Sequence, residues 1–317
     1  MKSPNLDQLA YLDCAASTPV RPAVLDAMMP YLTNQFGNPS GSHRLARSSR
    51  RAIDEAREVC AALLDFDPHG IVFTSGGTES DNLAIHGACG SSGVAACPAT
   101  EHHAVLYPVE SHSGRIIKVT PEGDVDLEHL EAVLDDDVSV LSVMLVNNES
   151  GRVVDLEPIA DVRDRRAPQA LLHTDAVQAV NWVDIAKAAS RADLMSLSGH
   201  KFGAPKGVGV LATRPHVDLT AQLLGGGQEA ERRSGTHNTA GIVALGAALQ
   251  ALDESRTDEI QRLGLLCNRL AEGLVAAVPG CHETISKSRR AAGLLQLLIE
   301  DVASEALLVL LERFDLM

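Results

Sequence analysis

The chain has 317 residues, with 27 Lys plus Arg against 42 Asp plus Glu, and carries a net charge of −15. That length suits one large domain plus part of a second, and an acidic balance without a basic cluster interleaved with aromatics argues against a nucleic-acid partner. With 45% hydrophobic but only 3% aromatic residues, the core must be mostly Leu, Val, Ile and Ala, and no apolar run reaches the ~20 residues of a membrane-spanning helix.

The opening residues, MKSPNLDQLAYLDCAAS, contain no apolar run of the signal-peptide kind. Leu45, Ile53, Val59 and Leu63 recur at helical spacing and predict a helix over 42–64. A short strand at 71–74 leads through Ser75-Gly76-Gly77-Thr78 into a helix near 79–86. Another short strand precedes Glu101-His102-His103, and further strands are expected at 116–119, 138–146, 170–173, 194–196 and 207–211. Helices at 127–134 and 158–166 fall between them. Strands alternating with helices predict an α/β fold with a mostly parallel sheet covered on both faces. From about Thr239 the pattern becomes helical, over 242–252 and 260–278, then a strand at 294–299 and a helix at 304–313.

The richest segment is Ser196-Leu197-Ser198-Gly199-His200-Lys201-Phe202-Gly203-Ala204-Pro205-Lys206-Gly207, which holds two of only six lysines. A lysine that forms a Schiff base needs a desolvated setting, and small neighbours with hydroxyls let a phosphate approach. A Gly/Pro-rich loop with solvated lysines is the alternative. His173-Thr174-Asp175-Ala176-Val177-Gln178 closes an apolar strand. A carboxylate at such a strand end points into the ligand crevice of a parallel sheet and can hold a protonated ring nitrogen. It could equally cap a helix. Ser75–Ser80 combines glycines with a helix N-terminus, which suits a phosphate, yet it is neither a Walker A motif nor G-x-G-x-x-G. A tight turn would give the same residues. His102 could lie on an aromatic ring or be an ordinary satisfied polar residue. The six cysteines (Cys14, Cys60, Cys89, Cys97, Cys267, Cys281) form no C-x-x-C pair; they read as reduced thiols of a cytoplasmic protein, without a metal site.

Taken together and in order, these stretches resemble the cysteine desulfurases of the class V aminotransferase group. They are Tyr11–Pro19, Phe36–His43, Phe73–Gly87, Thr100–Leu106, Val146–Gly151, His173–Ala179, Ser196–Gly207 and Arg233–Asn238. The resemblance implies a pyridoxal 5'-phosphate transferase-type large domain, placed at 15–245, and a partial small α+β domain from 1–14 and 246–317. It implies that Lys201 holds the cofactor and moves the Cα proton, that Asp175 pairs with the ring nitrogen, and that Gln178 bonds the phenolic oxygen. His102 would stack on the ring and act in proton transfer. Gly77, Thr78, Ser198 and His200 would bind the phosphate, Thr236 would reach the phosphate of the neighbouring subunit, and Asn148 would sit near the substrate carboxylate. The implied reaction turns L-cysteine into L-alanine and passes sulfane sulfur to an acceptor thiol, in a homodimer with shared sites. A sulfur-acceptor protein serving iron–sulfur cluster assembly or tRNA thiolation would be the partner, with neither nucleic acid nor membrane.

In the family, a segment like 294–313 leads into a mobile loop carrying the catalytic cysteine, followed by an arginine for the substrate carboxylate. The sequence stops at Met317, before both. Residues beyond it, a cysteine supplied by a partner, or cofactor binding without the chemistry would each account for this, and an uncovered apolar helix favours the first. Among the cysteines present, Cys14 lies in the 13–19 segment expected near the site; it is an acceptor candidate or a packed small thiol. Another transaminase, epimerase or lyase of the same fold, and a non-catalytic partner of a full-length paralogue, are the alternatives in function.

Overall fold

The computed structural model describes residues 9–317. Helices α1 (Pro22–Leu32) and α2 (Arg44–Leu64) come first, then strand β1 (Ile71–Thr74) and helix α3 (Gly77–Cys89). The chain alternates through β2 (Val94–Pro98), α4 (His103–Ser111), β3 (Arg115–Ile117), α5 (Leu127–Val133), β4 (Val138–Ser142) and α6 (Glu157–Arg166). β5 (Leu171–Asp175), α7 (Ile185–Ala188), β6 (Leu194–Ser198) and β7 (Gly209–Thr213) complete the main sheet. A long helix α8 (Thr239–Ala277), strands β8 (Cys281–Glu283) and β9 (Leu297–Ile299), and α9 (Ser304–Leu311) follow.

The seven strands lie in the order β1-β7-β6-β5-β4-β2-β3. Only β7 runs against its neighbours, so the expected mostly parallel sheet is present. All strands but β7 therefore end at one edge, where ligands bind in open sheets of this kind. Register sets what meets there: His173 lies opposite Leu194, and Asp175 opposite Ser196. The strands are almost wholly buried because helices cover both faces. Leu, Ile, Val and Ala fill the core as the composition requires, and Phe202 is the largest side chain wholly inside it.

Several elements differ from the sequence expectation. The helices expected at 242–252 and 260–278 are one 39-residue helix, α8. The polar run at 253–259 breaks the apolar pattern but contains neither Gly nor Pro, and Arg256–Asp253 and Arg262–Glu259 pairs bridge its turns. Helix α4 was hidden by Pro108, which lacks the N–H that would bond the Ala104 carbonyl. Asn82 Nδ2 of α3 donates to that oxygen instead, at 3.4 Å. The strand expected over 138–146 ends as β4 at Ser142, yet Val143 N and Leu145 N still donate to His173 O and Asp175 O. Helix α1, which begins on Pro22 at its first turn, was likewise unread.

A buried ion cluster fastens the segment before α8 to the sheet. Glu229 accepts from Arg57 at 2.7 and 3.1 Å, from Phe73 N at 2.8 Å, and contacts His237 Nε2 at 2.9 Å. Residues 229–231 all have positive φ (49°, 55° and 67°), a conformation that costs non-glycine residues about 1 kcal/mol or more each. Burial raises the Glu229 carboxyl, but hydrogen bonds from His237 and Arg57, the Arg57 charge and the Phe73 amide outweigh it and bring it down to about 2. The stabilisation is therefore complete above the ordinary glutamate value near 4.5 and disappears as pH falls through about 2. Replacing Glu229 by Gln leaves Arg57 with a neutral partner and should cost about 3 kcal/mol. Urea unfolding of both proteins between pH 7 and pH 2 checks this: the difference between them should shrink across the lower half of that range.

Candidate active site

At the shared strand edge lies a cavity of about 500 Å³, lined by Gly77, Thr78, His102, Asn148, Asp175, Gln178, Ser198, His200 and Lys201. Nine residues singled out from sequence thus meet in one place, drawn from the ends of β1, β2, β4, β5 and β6. Thr236 does not join them; it is exposed, on the loop beyond Arg233.

Each wall has a local cause. Gly76 has φ +152°, and Gly77 opens α3, a 13-residue helix whose first two residues, Gly77 and Thr78, line the cavity. A Cβ on Gly77 would lie 2.8 Å from Val177 Cγ2 and 3.5 Å from Ser198 Cβ, so bare backbone forms this wall. Glu79 pins the turn: its carboxylate accepts from Ser75 N at 2.9 Å and from Arg233 Nε at 2.7 Å. Burial raises the Glu79 carboxyl, and the Arg233 and Ser75 donors more than reverse that. Asn147 accepts from Glu149 N, Ser150 N and Ser150 Oγ, which folds the 147–151 loop so that Asn148 lines the cavity. His102 caps α4, with Nδ1 accepting from Ala104 N at 3.1 Å, so a neutral ring carries its proton on Nε2.

Lys201 Nζ donates to Ala15 O at 2.5 Å and Ala16 O at 3.0 Å. Burial lowers its pKa, against the pull of Asp175 and Asp13. Gln178 Nε2 donates to the same Ala15 oxygen at 2.6 Å. Asp175 is nearly buried and accepts from Val177 N at 2.9 Å. Burial raises its carboxyl; the Val177 amide and the His102 and Lys201 charges offset this in part. His200 is lowered by burial and then by Lys201 and Lys206, and its Nδ1 lies 3.2 Å from Ser17 Oγ.

Cys14 is not a packed thiol. It stands exposed between Asp13 and Ala15, and burial of its sulfur with the Asp13 charge pushes the thiol up. Cys60, Cys89, Cys97 and Cys281 are buried, and Cys267 is partly so on α8. The sequence reading assigned no role to Asp81, Glu101, Met144 or Glu149, of which all but Glu101 line the cavity. Asp81 did leave a signal, an acid at helical spacing with Gly77, Ala84 and Ile85 on the buried face of α3. Glu101 left none, because its partner Met144 N is distant in sequence.

The aminotransferase class-V family model matches residues 10–317. The chain belongs to that family. It is 38% identical over 314 residues to the cysteine desulfurase IscS of Methanosarcina thermophila, covering 96% of this chain and 77% of that protein. Against the cysteine desulfurase IscS of Edwardsiella ictaluri it is 42% identical over 279 residues, covering 83% and 68%. Among solved structures, a NifS-like protein superimposes with a TM-score of 0.93 at 29% identity, covering 97% of this chain and 86% of that one. SspA in complex with cysteine superimposes at 0.81, also 29% identical, over 97% and 88%.

The donor set fits pyridoxal 5'-phosphate, the cofactor of this family. A backbone cradle at a helix N-terminus, a half-buried lysine and a strand-end carboxylate are what its phosphate, aldehyde and ring nitrogen require. Gly77→Ala places a methyl group against Val177 in that cradle. Its affinity for pyridoxal phosphate should fall about tenfold, a loss near 1.4 kcal/mol, with the thermal midpoint little changed. Fluorescence titration of the cofactor checks the first and calorimetry the second.

Proposed function

We propose that this chain is a pyridoxal-phosphate-dependent cysteine desulfurase, which takes L-cysteine to L-alanine and passes the sulfur to an acceptor thiol. The supporting observation is the meeting of Lys201, Asp175 and the Gly77 cradle in one cavity. The bound cofactor would supply an electron sink for negative charge at the substrate Cα. Lys201 Nζ is the amine that would hold it, and as a free amine it would take the substrate Cα proton. Its lowered pKa leaves more of the amine neutral for both tasks. Asp175 would hold positive charge at the ring nitrogen, and His102 would cover the ring and offer a proton on Nε2. Gly77, Thr78, Ser198 and His200 hold the phosphate, and Asn148 the substrate carboxylate. Gln178 turns to the phenolic oxygen by leaving Ala15 O.

Sulfur leaves when an acceptor thiolate attacks the substrate sulfur: the S–S bond forms, the Cβ–S bond breaks, and its electron pair stays with the carbon that becomes alanine's methyl group. Cys14 is a poor thiolate because its thiol is pushed up. The proposal therefore takes the acceptor to be another cysteine. It also carries a homodimer in which Thr236 reaches the neighbouring phosphate; the exposure of Thr236 outside its own cavity supports this. A cytoplasmic location and sulfur supply through an acceptor protein to iron–sulfur assembly or tRNA thiolation belong to the same reading. No helix among the described residues is long and apolar enough to cross a membrane.

A two-domain division, 15–245 against 1–14 with 246–317, is part of the proposal. It draws on the Ala10–Leu316 bridge, which joins the two ends of the smaller part; residues 1–8 lie outside the described residues.

The test is spectroscopic and chemical. The purified protein should show a visible band of lysine-bound cofactor, and borohydride should fix one cofactor per chain by intact mass. Lys201→Ala should lose both. With L-cysteine and a thiol acceptor, alanine and sulfane sulfur should appear in equal amounts. Alanine without sulfane sulfur, or turnover of a different amino acid alone, would replace the desulfurase reading by another reaction of the fold. An intact band with no turnover and a co-purifying paralogue would replace it by a non-catalytic role.

A further inference from the structure

Behind Asp175 lies a group of polar side chains that the proposed chemistry leaves unused. Asp81 of α3 is 1% exposed and lines the cavity, and its Oδ1 has no hydrogen-bond partner. His173 of β5 is wholly buried, with Nε2 3.7 Å from that oxygen. Both its ring nitrogens are engaged by serines: Nδ1 with Ser142 Oγ at 2.7 Å, and Nε2 with Ser196 Oγ at 2.9 Å. A hydroxyl can donate to one nitrogen and accept from the other, so the neutral ring is satisfied on both sides. Burial pushes His173 down to about 3, and it brings no positive charge to Asp81 at neutral pH.

Asp175 and Asp81 feel each other's charge inside one cavity. Two neighbouring buried carboxylates do not both ionise; the better compensated one does. Asp175 has the Val177 amide at 2.9 Å, with Lys201 and His102 acting on it. Asp81 faces Asp175, Glu101 and neutral His173, with only the Ser196 hydroxyl in its favour. Burial and then the Asp175 charge hold its carboxyl well above the usual carboxylate range. Glu101, raised by burial and by Asp175, adds no compensation.

We propose that Asp81 is the proton-bearing member of a carboxylic acid pair, leaving Asp175 the single anion of the pair, with His173 clamped between Ser142 and Ser196 as the neutral group that maintains this division. This inference rests on the reading of the cavity as a pyridoxal phosphate site. A cationic ring nitrogen at Asp175 then meets one negative charge and not two. Asp81 is a positioning residue, since it acts through Asp175 and not on the reacting atoms.

Infrared spectroscopy of the protein as isolated, in heavy water near neutral pH, reads the division directly. Protonated carboxylic acid absorption should be present, and part of it should be lost in Asp81→Asn. Unchanged absorption in Asp81→Asn overturns the proposal. The pH at which cofactor affinity falls is the second readout. Replacing a neutral acid by a neutral amide should leave that pH within a few tenths of a unit, whereas removing an anion beside Asp175 would lower it by about one unit or more. A downward shift of that size overturns the proposal. If Asp81→Asn does not fold, carbon-13 NMR of wild-type protein labelled at aspartate carboxyls decides: one resonance should stay at the protonated position at neutral pH, and its absence overturns the assignment. A failure of the cofactor reading would appear separately, as a protein without the visible band whose infrared result still stands.

Discussion

A carboxylate at the end of a buried strand stays an anion only where the fold supplies donors and positive charge, and Asp175 is in that position. It ends β5, a central strand flanked by β4 and β6, and lines the cavity. The parallel sheet brings its compensation to it. The chain folds back so that the Val177 amide points at the carboxylate, β6 delivers Lys201 just past its end, and His102 arrives at the head of α4. Sheet polarity, more than any single contact, holds the chemistry together: a strand reversed at β2 or β6 would carry its residue to the opposite edge.

The same rule gives two buried acids opposite fates. Glu229 has Arg57, His237 and the Phe73 amide around it and is driven to about 2. Asp81 has an orphaned oxygen, a neutral histidine and two acidic neighbours, and it is driven up. Burial opposes the charge at both, so the partners decide. Glu229 is thereby a rigid anchor for a stretch of three positive-φ residues, and through it for the loop that presents Arg233 and Thr236. Arg57 extends the anchor by donating to Ile71 O and stacking over Phe73, which ties that loop to β1.

Much of this was legible in the sequence because it is written locally. The strand ends Ser75–Thr78, Asp175 and Ser198–Lys201 follow apolar runs directly, and the alternation of strand and helix is enough to put them at one edge. What could not be read depends on partners far along the chain. Pro108 disguised α4 because the Asn82 side chain that accepts its consequences belongs to another helix. The polar run at 253–259 looked like a break because its Arg–Asp and Arg–Glu pairs cannot be distinguished from a solvated loop without the helix. Glu101 gave no sign because its hydrogen bond is to Met144 N. Asp81 and His173 each broke an apolar pattern, yet neither names the other, and only the packing of α3 on β5 brings them to 3.7 Å.

The segment at 13–16 shows how such long-range contacts bear on function. Ala15 O accepts from both Lys201 Nζ and Gln178 Nε2, and Ala16 O takes a second Lys201 bond. The two side chains assigned to the cofactor in the proposed function are therefore held by one short stretch of backbone. A buried hydrogen bond contributes about 1 kcal/mol net, but leaving its donor unpaired costs more. On the proposed function, Lys201 and Gln178 release Ala15 at low cost only if the incoming group gives the amine a new bond and the amide an acceptor, as an aldehyde and a phenolic oxygen would. A molecule offering just a phosphate would fill the Gly77 cradle and leave these contacts in place. On the proposed function, the stretch at 13–16 thus makes full engagement depend on both ends of the cofactor, and the requirement arises from hydrogen bonding between residues some 160 positions apart or more.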